Sequence, residues 1–554
     1  MSKRVSLPPP GPNAPAPWLT WKYSLILPFA LIALIGTVVD ANWPSNSGAR
    51  TSDAGALTAQ ISGTAPATHV QTEYAASDIA GQAPESSPVD DVNLVPRAAT
   101  PDLTNVRIEG MIVDASGDPI QGARITDGQH LAVSGGDGLF EIDANGADAA
   151  LRITASGFHD FAQPAAALES RIEVTLELQQ VKALYLNPNI SDTDEDIDRI
   201  IDIINTTEAN AVVIDIKEEI VYYDSQVPMF VDAGTVRPIM DLAELLGRFK
   251  EHDIYTIARL VVFKDGLVAQ ANPDLAVLNN VTGDLWRDDN GVAWVNPMAH
   301  RIWHANVDLA VEAAGYGFDE VQYDYVRFPT DGDFSTQAFG LENTQENRQN
   351  SIEGFLALSR EKLLPTGVKQ SADVFGYSLV VDDDLGIGHN FARLGEYVDY
   401  LSPMIYPSHW PNGSLAVDGH PNDFPYETIA ISMRQAGLKL DGDMLRVRPW
   451  LQDFSFFDLM PYGDNEVRAQ IRAVEESGAS GWMLWDPNNV YHPGALAPDP
   501  SQGTQKAATP VATSLATFGS TLMATPGAIL TPGVTVTGRR VRRSCTLIAR
   551  LDWV

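Results

Sequence analysis

Cysteine and positive charge are both scarce in this chain of 554 residues. The one cysteine, Cys545, excludes an internal disulfide framework and a cysteine-based zinc site, so the folded domains depend on their apolar cores. Lys and Arg total 37 against 72 Asp and Glu, which gives a formal net charge of −35. Such a surface repels phosphate backbones, and we therefore expect no nucleic-acid partner.

Motifs for nucleotide and acyl-enzyme chemistry are also missing. The sequence has no GxxxxGK[ST] and no GxSxG, and the segment 386–388 lacks the third glycine of a dinucleotide fingerprint. His300 and His304 have a spacing that can bind a metal on a helix, but no Glu follows His300 as metalloprotease chemistry requires. We therefore expect neither a cofactor nor a metal.

A long apolar run occurs at residues 23–39, and the basic residues Lys3, Arg4 and Lys22 precede it. This arrangement predicts a transmembrane signal anchor that leaves residues 1–22 in the cytoplasm and exports the rest of the chain. A cleaved signal, and so a secreted protein, is the alternative. Residues 40–103 and 494–554 contain few large apolar side chains, which predicts a disordered linker and a low-complexity tail.

Residues 104–178 contain short runs of alternating apolar and polar residues, separated by Gly/Asp turns. This pattern is typical of a small antiparallel β-sandwich. The segment resembles the carboxypeptidase regulatory-like domain in the order of Gly110, the turn at 118–123, the turn at 137–140 and the pair 157–158. The resemblance implies a spacer or binding module rather than a catalyst.

From residue 181 to residue 493 the chain alternates eight β-like runs with stretches of helical length. Such alternation indicates a parallel sheet with right-handed crossovers, and eight units favour a closed (β/α)8 TIM barrel, an α/β fold. The runs are Lys182 to Pro188, Ala211 to Ile216, Tyr255 to Phe263, Glu320 to Phe328, Lys369 to Tyr377, Tyr397 to Tyr406, Arg446 to Gln452 and Gly481 to Trp485.

Acidic and aromatic residues stand where these strands end, at the face where TIM barrels place their active sites. Aromatic faces, amides and paired carboxylates are the groups that bind sugars. The candidate substrate-binding residues, from the first strand to the eighth, are Tyr185, Asn187, Glu218, Arg259, Tyr325, Arg327, Tyr406, His409, Trp485 and Asp486.

Several phrases in this region, VKALYLNP, AVVIDIKE, DEVQYDYVRFP, SADVFGY, LSPMIYPSHW and GWMLWDPNN, are similar to those of the DUF4015 family of glycoside hydrolase domains. The resemblance covers about residues 181–493. It implies a barrel related to those of the alpha-amylase group, with hydrolysis of glycosidic bonds as its activity.

Hydrolysis of a glycosidic bond usually needs two carboxyl groups. Asp324 and Asp373 lie on consecutive strands and are the first candidates. The resemblance to alpha-amylase-like barrels implies that Asp324 is the nucleophile and Asp373 the acid/base, although that group usually has Glu at the second position. Glu218 and Asp486 are the alternatives for the second carboxylate.

The sequence thus predicts a retaining glycoside hydrolase that acts on a polysaccharide outside the cytoplasm, tethered to a membrane by its N-terminal helix. A non-catalytic carbohydrate-binding scaffold of the cell envelope is the alternative from another class. A metal-assisted polysaccharide deacetylase is a third hypothesis.

Overall fold

The computed structural model describes residues 106–146, 149–188, 194–498 and 512–514. The predicted anchor, the linker and most of the tail lie outside these residues. Within the described ranges, no helix is both long enough and apolar enough to span a membrane.

The first folded part of the chain is a β-sandwich, and several of its strands alternate buried and more exposed side chains; in Leu139–Ala144, for example, Phe140 and Ile142 are buried. Two sheets enclose one core. The prediction of an antiparallel sandwich was wrong for one pair, since β1 and β7 run parallel. The strands are β1 Val106–Asp114, β2 Arg124–Thr126, β3 Leu131–Val133, β4 Leu139–Ala144, β5 Ala150–Thr154, β6 Phe161–Pro164 and β7 Arg171–Leu176.

Eight further strands close into a parallel barrel, which confirms the predicted fold. They are β8 Val181–Leu186, β9 Ala211–Lys217, β10 Tyr255–Val261, β12 Glu320–Asp324, β14 Lys369–Phe375, β15 Tyr400–Met404, β16 Trp450–Gln452 and β17 Gly481–Trp485. Loops between them carry a small antiparallel pair, β11 Leu278–Asn279 and β13 Gln337–Ala338. Ala512–Ser514 forms β18, which pairs antiparallel with β7.

Helices cover the outside of the barrel. In the first, Ile200, Ile201 and Ile204 are buried, as their helical spacing predicts. The helices are α1 Asp194–Thr206, α2 Pro228–Asp232, α3 Leu242–Glu251, α4 Gly266–Ala271, α5 His300–Tyr316, α6 Gln345–Leu363, α7 Phe391–Leu394, α8 Pro425–Lys439 and α9 Asp464–Glu475.

Polar side chains fill the interior of the barrel below the strand ends. Along β12, Glu320 pairs with Arg448, and both side chains are fully buried. Gln322, two residues further along, donates to Ser402 Oγ at 3.3 Å. Because side chains alternate along a strand, the next inward position is Asp324 at the C-terminal end. The strand period therefore places this carboxyl group at the mouth of the barrel.

The sandwich contacts the barrel at the N-terminal ends of the barrel strands. Lys369, the first residue of β14, places its Nζ 3.0 Å from Asp160 Oδ1 and 2.9 Å from the carbonyl oxygen of Phe158. Arg124 of β2 pairs with Asp399 at 2.5 Å, one residue before β15 begins. The sandwich therefore lies at the end of the barrel opposite its C-terminal mouth.

Gly481, which opens β17, has no room for a side chain. A Cβ there would lie 2.0 Å from the carbonyl oxygen of Val181 on β8, and the residue has φ +127°. We expect Gly481→Ala to lower the free energy of unfolding by more than about 4 kcal/mol. Gly478→Ala is the matched control, because its φ is +77° but its Cβ would meet nothing within 4 Å. Gly478→Ala should lower the free energy of unfolding, measured by urea denaturation, by only about 1–2 kcal/mol. Equal losses would contradict the steric explanation.

Candidate active site

Arg259 is the centre of a network of carboxylates at the C-terminal mouth of the barrel. It lies on β10, between the strands that carry Asp215 and Asp324, and its guanidinium group donates to both carboxylates. Its Nε is 3.7 Å from Asp373 Oδ2 on β14. The side chain of Arg259 is 14% exposed and those of the three acids 7% or less. One buried cation therefore balances three carboxyl groups, which disfavours full ionisation of all three.

Asp373 is the carboxyl group of this network whose surroundings best suit the protonated form. Trp450 Nε1 donates to its Oδ1 at 2.7 Å, whereas its Oδ2 is buried without a hydrogen-bond partner among the described residues. Burial, and next the nearby charge of Asp324, raise the pKa of Asp373 well above its ordinary value. The geometry thus favours a neutral carboxylic acid at this position.

Asp324 has surroundings that suit a carboxylate. Its Oδ2 accepts from Arg259, and its Oδ1 accepts from the backbone N–H of Tyr325 at 2.6 Å. Tyr325 has a φ of +48°, so the chain turns there and β12 ends at Asp324. Both oxygens of Asp324 thus accept hydrogen bonds, whereas Asp373 accepts at only one among the described residues. The two candidate acids therefore have opposite environments, as a pair with two roles requires.

Asp215 is fully buried beneath this pair. It accepts from Arg259 and from the hydroxyl of Tyr185. Burial raises the pKa of Asp215 to about 6, with Arg259 opposing the rise and the charge of Glu218 adding to it. Asp215 stands at a predicted strand end, but its part in the network was not predicted from the sequence.

The raised pKa of Asp215 predicts a pH-dependent stability. Because the folded state holds this proton more tightly than the unfolded state, the stabilisation is complete below about pH 4 and is lost as the pH rises through about 6. Between about pH 4 and pH 6 the free energy of unfolding of the parent should fall, and in Asp215→Asn this fall should be smaller by about 1–3 kcal/mol. Urea denaturation at both pH values measures the difference. Asp202→Asn, at an exposed position of α1, should keep the parental slope. Equal slopes for all three would refute the assignment.

Two adjoining cavities open beside the acidic pair. The inner cavity has a volume of about 230 Å³ and the aromatic cavity one of about 420 Å³, and both are lined by Phe375 and Met404. The other residues of the inner cavity are Asp324, Tyr325, Val326, Arg327, Asp373 and His389. Those of the aromatic cavity are Gly376, Tyr377, Tyr406, His409 and Trp410.

Six of the predicted site residues therefore line these cavities. Four of them, Asp324, Asp373, Tyr325 and Arg327, surround the inner cavity, while Tyr406 and His409 surround the aromatic cavity. Burial lowers the pKa of His409 to about 4, so its imidazole is neutral at physiological pH.

The remaining predicted residues do not line either cavity, and they contact neighbouring residues of the barrel mouth instead. Trp485 packs on Tyr406 with ring centroids 5.2 Å apart. Tyr185 hydrogen-bonds Asp215, and the carbonyl oxygen of Asn187 accepts from Asn489 Nδ2 at 3.1 Å.

The alternative second carboxylates also have local partners. Glu218 accepts from the hydroxyl of Tyr222 at 2.5 Å. Asp486 Oδ1 accepts from the backbone N–H groups of Asn488 at 2.7 Å and Val490 at 3.0 Å. Among the described residues, neither carboxylate belongs to the lining of either cavity. These contacts assign Asp486 the role of stabilising a turn.

Sequence reasoning missed His389 and Trp450. His389 follows β14 by 14 residues, in a loop, and its Nε2 is 3.1 Å from the carbonyl oxygen of Val326. Trp450 reaches Asp373 from β16. A search of inward-facing strand positions for indole donors could have found Trp450, but no local pattern marks His389.

Comparison with known proteins identifies the family of the barrel. The family model described as "Putative glycosyl hydrolase domain" (DUF4015) matches residues 183–491. No curated protein matches the sequence. Among solved structures, a hypothetical protein from Ruminiclostridium thermocellum is 36% identical over 34% of this chain and 97% of its own, with a TM-score of 0.31.

Two further structures are more distant in sequence. The PgaB (BpsB) glycoside hydrolase domain of Bordetella bronchiseptica is 13% identical over 56% of this chain and 94% of its own, with a TM-score of 0.42. Catalytic domain 2 of the Ostrinia furnacalis group II chitinase is 12% identical over 56% and 90%, with a TM-score of 0.36. The family match spans more than half of the sequence, and the chain therefore belongs to the DUF4015 family of glycosyl hydrolase domains.

Proposed function

We propose that the barrel is a retaining glycoside hydrolase in which Asp324 is the nucleophile and Asp373 the acid/base. The observation that carries the proposal is the difference between these neighbouring acids, which line one cavity. Asp324 accepts hydrogen bonds at both oxygens, whereas Asp373 Oδ2 has no hydrogen-bond partner in the part of the chain that the structure describes, and the pKa of Asp373 is raised. Such a pair supplies a nucleophile and a proton donor at the same pH.

In the first step, Asp373 protonates the glycosidic oxygen while Asp324 attacks the anomeric carbon. The bond between that carbon and the glycosidic oxygen breaks, and a glycosyl ester of Asp324 forms. In the second step, the Asp373 carboxylate takes a proton from water as the water oxygen attacks the anomeric carbon. The ester breaks, Asp324 is regenerated, and one water molecule has been consumed.

The spacing of the strands favours retention over inversion. Neighbouring strands lie about 4.8 Å apart, and retaining enzymes separate their carboxyl groups by about 5–5.5 Å, whereas inverting enzymes need about 6.5–9.5 Å. Asp324 and Asp373 lie on the paired strands β12 and β14, and both contact the guanidinium group of Arg259.

The aromatic cavity supports a polymeric substrate. Tyr377 and Trp410 lie with ring centroids 5.3 Å apart and contribute two of its walls. Aromatic side chains bind the apolar faces of molecules that also carry polar edges, and sugar rings have this character. A chain that places one ring beside Asp324 and Asp373 would extend its neighbouring rings into this cavity.

The proposed substrate is a cell-envelope or extracellular polysaccharide, which follows from the expected export of the chain. The apolar run at 23–39 with basic residues before it supports a membrane-anchored barrel in the periplasm or outside the cell, with secretion after cleavage as the alternative. We also propose that the sandwich is a carboxypeptidase regulatory-like domain that acts as a spacer or a binding module.

One observation favours the alternative of a non-catalytic carbohydrate-binding scaffold. The aromatic cavity, at about 420 Å³, is larger than the inner cavity beside Asp324 and Asp373, at about 230 Å³. A scaffold would bind glycans in the aromatic cavity without cleaving them.

The test is to incubate the full chain with a panel of bacterial and plant polysaccharides and to measure released reducing ends. Proton NMR at early times then identifies the first anomer formed, which should be that of the substrate. Inversion would exclude the ester of Asp324. Binding without release would support the scaffold, and chelator-sensitive release of acetate would support a deacetylase.

A further inference from the structure

His389 lines the inner cavity, and its contacts show which of its ring nitrogens carries the hydrogen. His389 Nε2 is 3.1 Å from the carbonyl oxygen of Val326. A carbonyl oxygen only accepts, so Nε2 carries the hydrogen. Burial, together with the charge of Arg327, lowers the pKa of His389 to about 4, and the ring is neutral at physiological pH. Its Nδ1 is therefore an acceptor, and it is buried without a hydrogen-bond partner among the described residues.

Arg327 brings a donor to the same cavity. Its Nη1 donates to the carbonyl oxygen of Phe328 at 3.0 Å, and its Nη2 donates to Asp331 at 2.7 Å. The remaining Nε–H is buried and has no hydrogen-bond partner among the described residues. The guanidinium carbon lies 4.8 Å from the ring centroid of Phe375, which fixes the side chain beside the cavity.

A sugar hydroxyl complements this pair, because it donates one hydrogen bond and accepts others. A carboxylate has no proton to donate to His389 Nδ1, and an ammonium group cannot accept from Arg327 Nε–H. The cavity is also lined by the carboxylate of Asp324, which disfavours an anionic substrate group. The donor and the acceptor therefore fit a hydroxyl group rather than a carboxylate or an ammonium group.

We infer that the inner cavity selects a neutral sugar over the corresponding uronic acid, and that His389 determines this selectivity by accepting a hydrogen bond from the C6 hydroxyl, which a uronic acid replaces with a carboxylate. The inference rests on the proposed function, since it names the class of sugar that the same site cleaves. It assigns a role to a residue that no strand-end pattern predicts.

The first test compares 4-nitrophenyl glycosides of neutral hexoses with the uronides of the same anomer and ring configuration, using the full chain. We expect kcat/KM for the best neutral glycoside to exceed that for its uronide by at least about 100-fold, because the acceptor would be left unpaired. Equal or faster cleavage of the uronide would overturn the inference.

The second test uses His389→Phe, which keeps a ring but removes the acceptor. We expect kcat/KM for the neutral glycoside to fall about 10- to 100-fold. The 6-deoxy analogue, which lacks the partner hydroxyl, should be cleaved equally by the parent and the variant. His389→Asn, whose amide oxygen can accept, should recover part of the loss. His304→Phe, at an exposed position of α5, is the control for a His to Phe change. The inference is wrong if His389→Phe, with an unchanged thermal unfolding temperature, cleaves every substrate as the parent does.

Calorimetric binding separates the failure of this inference from the failure of the proposed function. If the parent cleaves no glycoside, the proposed hydrolase is wrong. Selectivity can still be measured as the ratio of the dissociation constants for neutral and uronic oligosaccharides. Tighter binding of the neutral oligosaccharide, weakened in His389→Phe, would uphold the inference. Tighter binding of the uronic one, or no binding of either, would overturn it.

Discussion

Asp324→Asn should lower kcat on any substrate of this barrel by at least about 10³-fold, because an amide cannot form the glycosyl ester on which the proposed route depends. The side chain keeps its size, so the fold should tolerate the change. The measurement is reducing-end release from the substrate identified for the parent. Asp202→Asn, which makes the same change at an exposed position of α1, should leave release unaffected.

A matched variant of Asp373 separates the two roles. With a 2,4-dinitrophenyl leaving group, which departs without protonation, Asp373→Ala should still form the glycosyl ester of Asp324. Azide attacks without help from a base, so adding azide should restore turnover and give a glycosyl azide of retained configuration. Asp324→Asn should show no such recovery. Release that is unchanged in both variants would exclude this pair.

Arg259→Met should lower the free energy of unfolding by about 3–5 kcal/mol at pH 7, because it leaves buried carboxyl groups without their shared cation. Arg259 donates to Asp215 and Asp324 and lies 3.7 Å from Asp373. Without it, the pKa values of Asp215 and Asp373 rise further, because Arg259 opposes the rise at both. The loss of stability should therefore shrink as the pH falls and the acids become protonated.

Urea denaturation at several pH values measures this effect. Arg259→Met combined with Asp215→Asn should recover part of the loss, since one uncompensated charge is then removed. Arg248→Met is the control, because its partners Asp194 and Asp198 are largely exposed. It should cost about 1 kcal/mol or less. Similar losses at Arg259 and Arg248 would show that the buried network contributes little.

The barrel could be predicted because strands that are buried on both faces form continuous apolar runs. Ala211–Lys217, for example, is buried at every position. The ends of several strands were harder to predict. The fourth predicted run extends to Phe328. The strand ends at Asp324, because the chain turns at Tyr325, which has a positive φ. Apolar residues indicate that a segment is buried, but a buried loop and a buried strand have similar compositions. Composition alone therefore does not show where a strand ends.

The site could be predicted only as far as its residues follow barrel strands. Asp324 and Asp373 stand at strand ends, and the rule that sites form there finds them. His389 lies in a loop whose path depends on its contact with the carbonyl oxygen of Val326. Trp450 meets Asp373 from β16, 77 residues away in the chain. The residue that each side chain meets across the closed barrel is not encoded by the local sequence pattern around it.

The buried pair of Glu320 and Arg448 restricts how this barrel can change over evolutionary time. Both side chains are fully buried, and Glu320 also accepts from Ser371. Loss of either partner alone leaves a charge in the barrel interior, which is strongly destabilising, whereas replacement of both by apolar residues is often tolerated. Single substitutions at either position should therefore be purged by selection, and relatives should carry either the complete ion pair or an apolar pair.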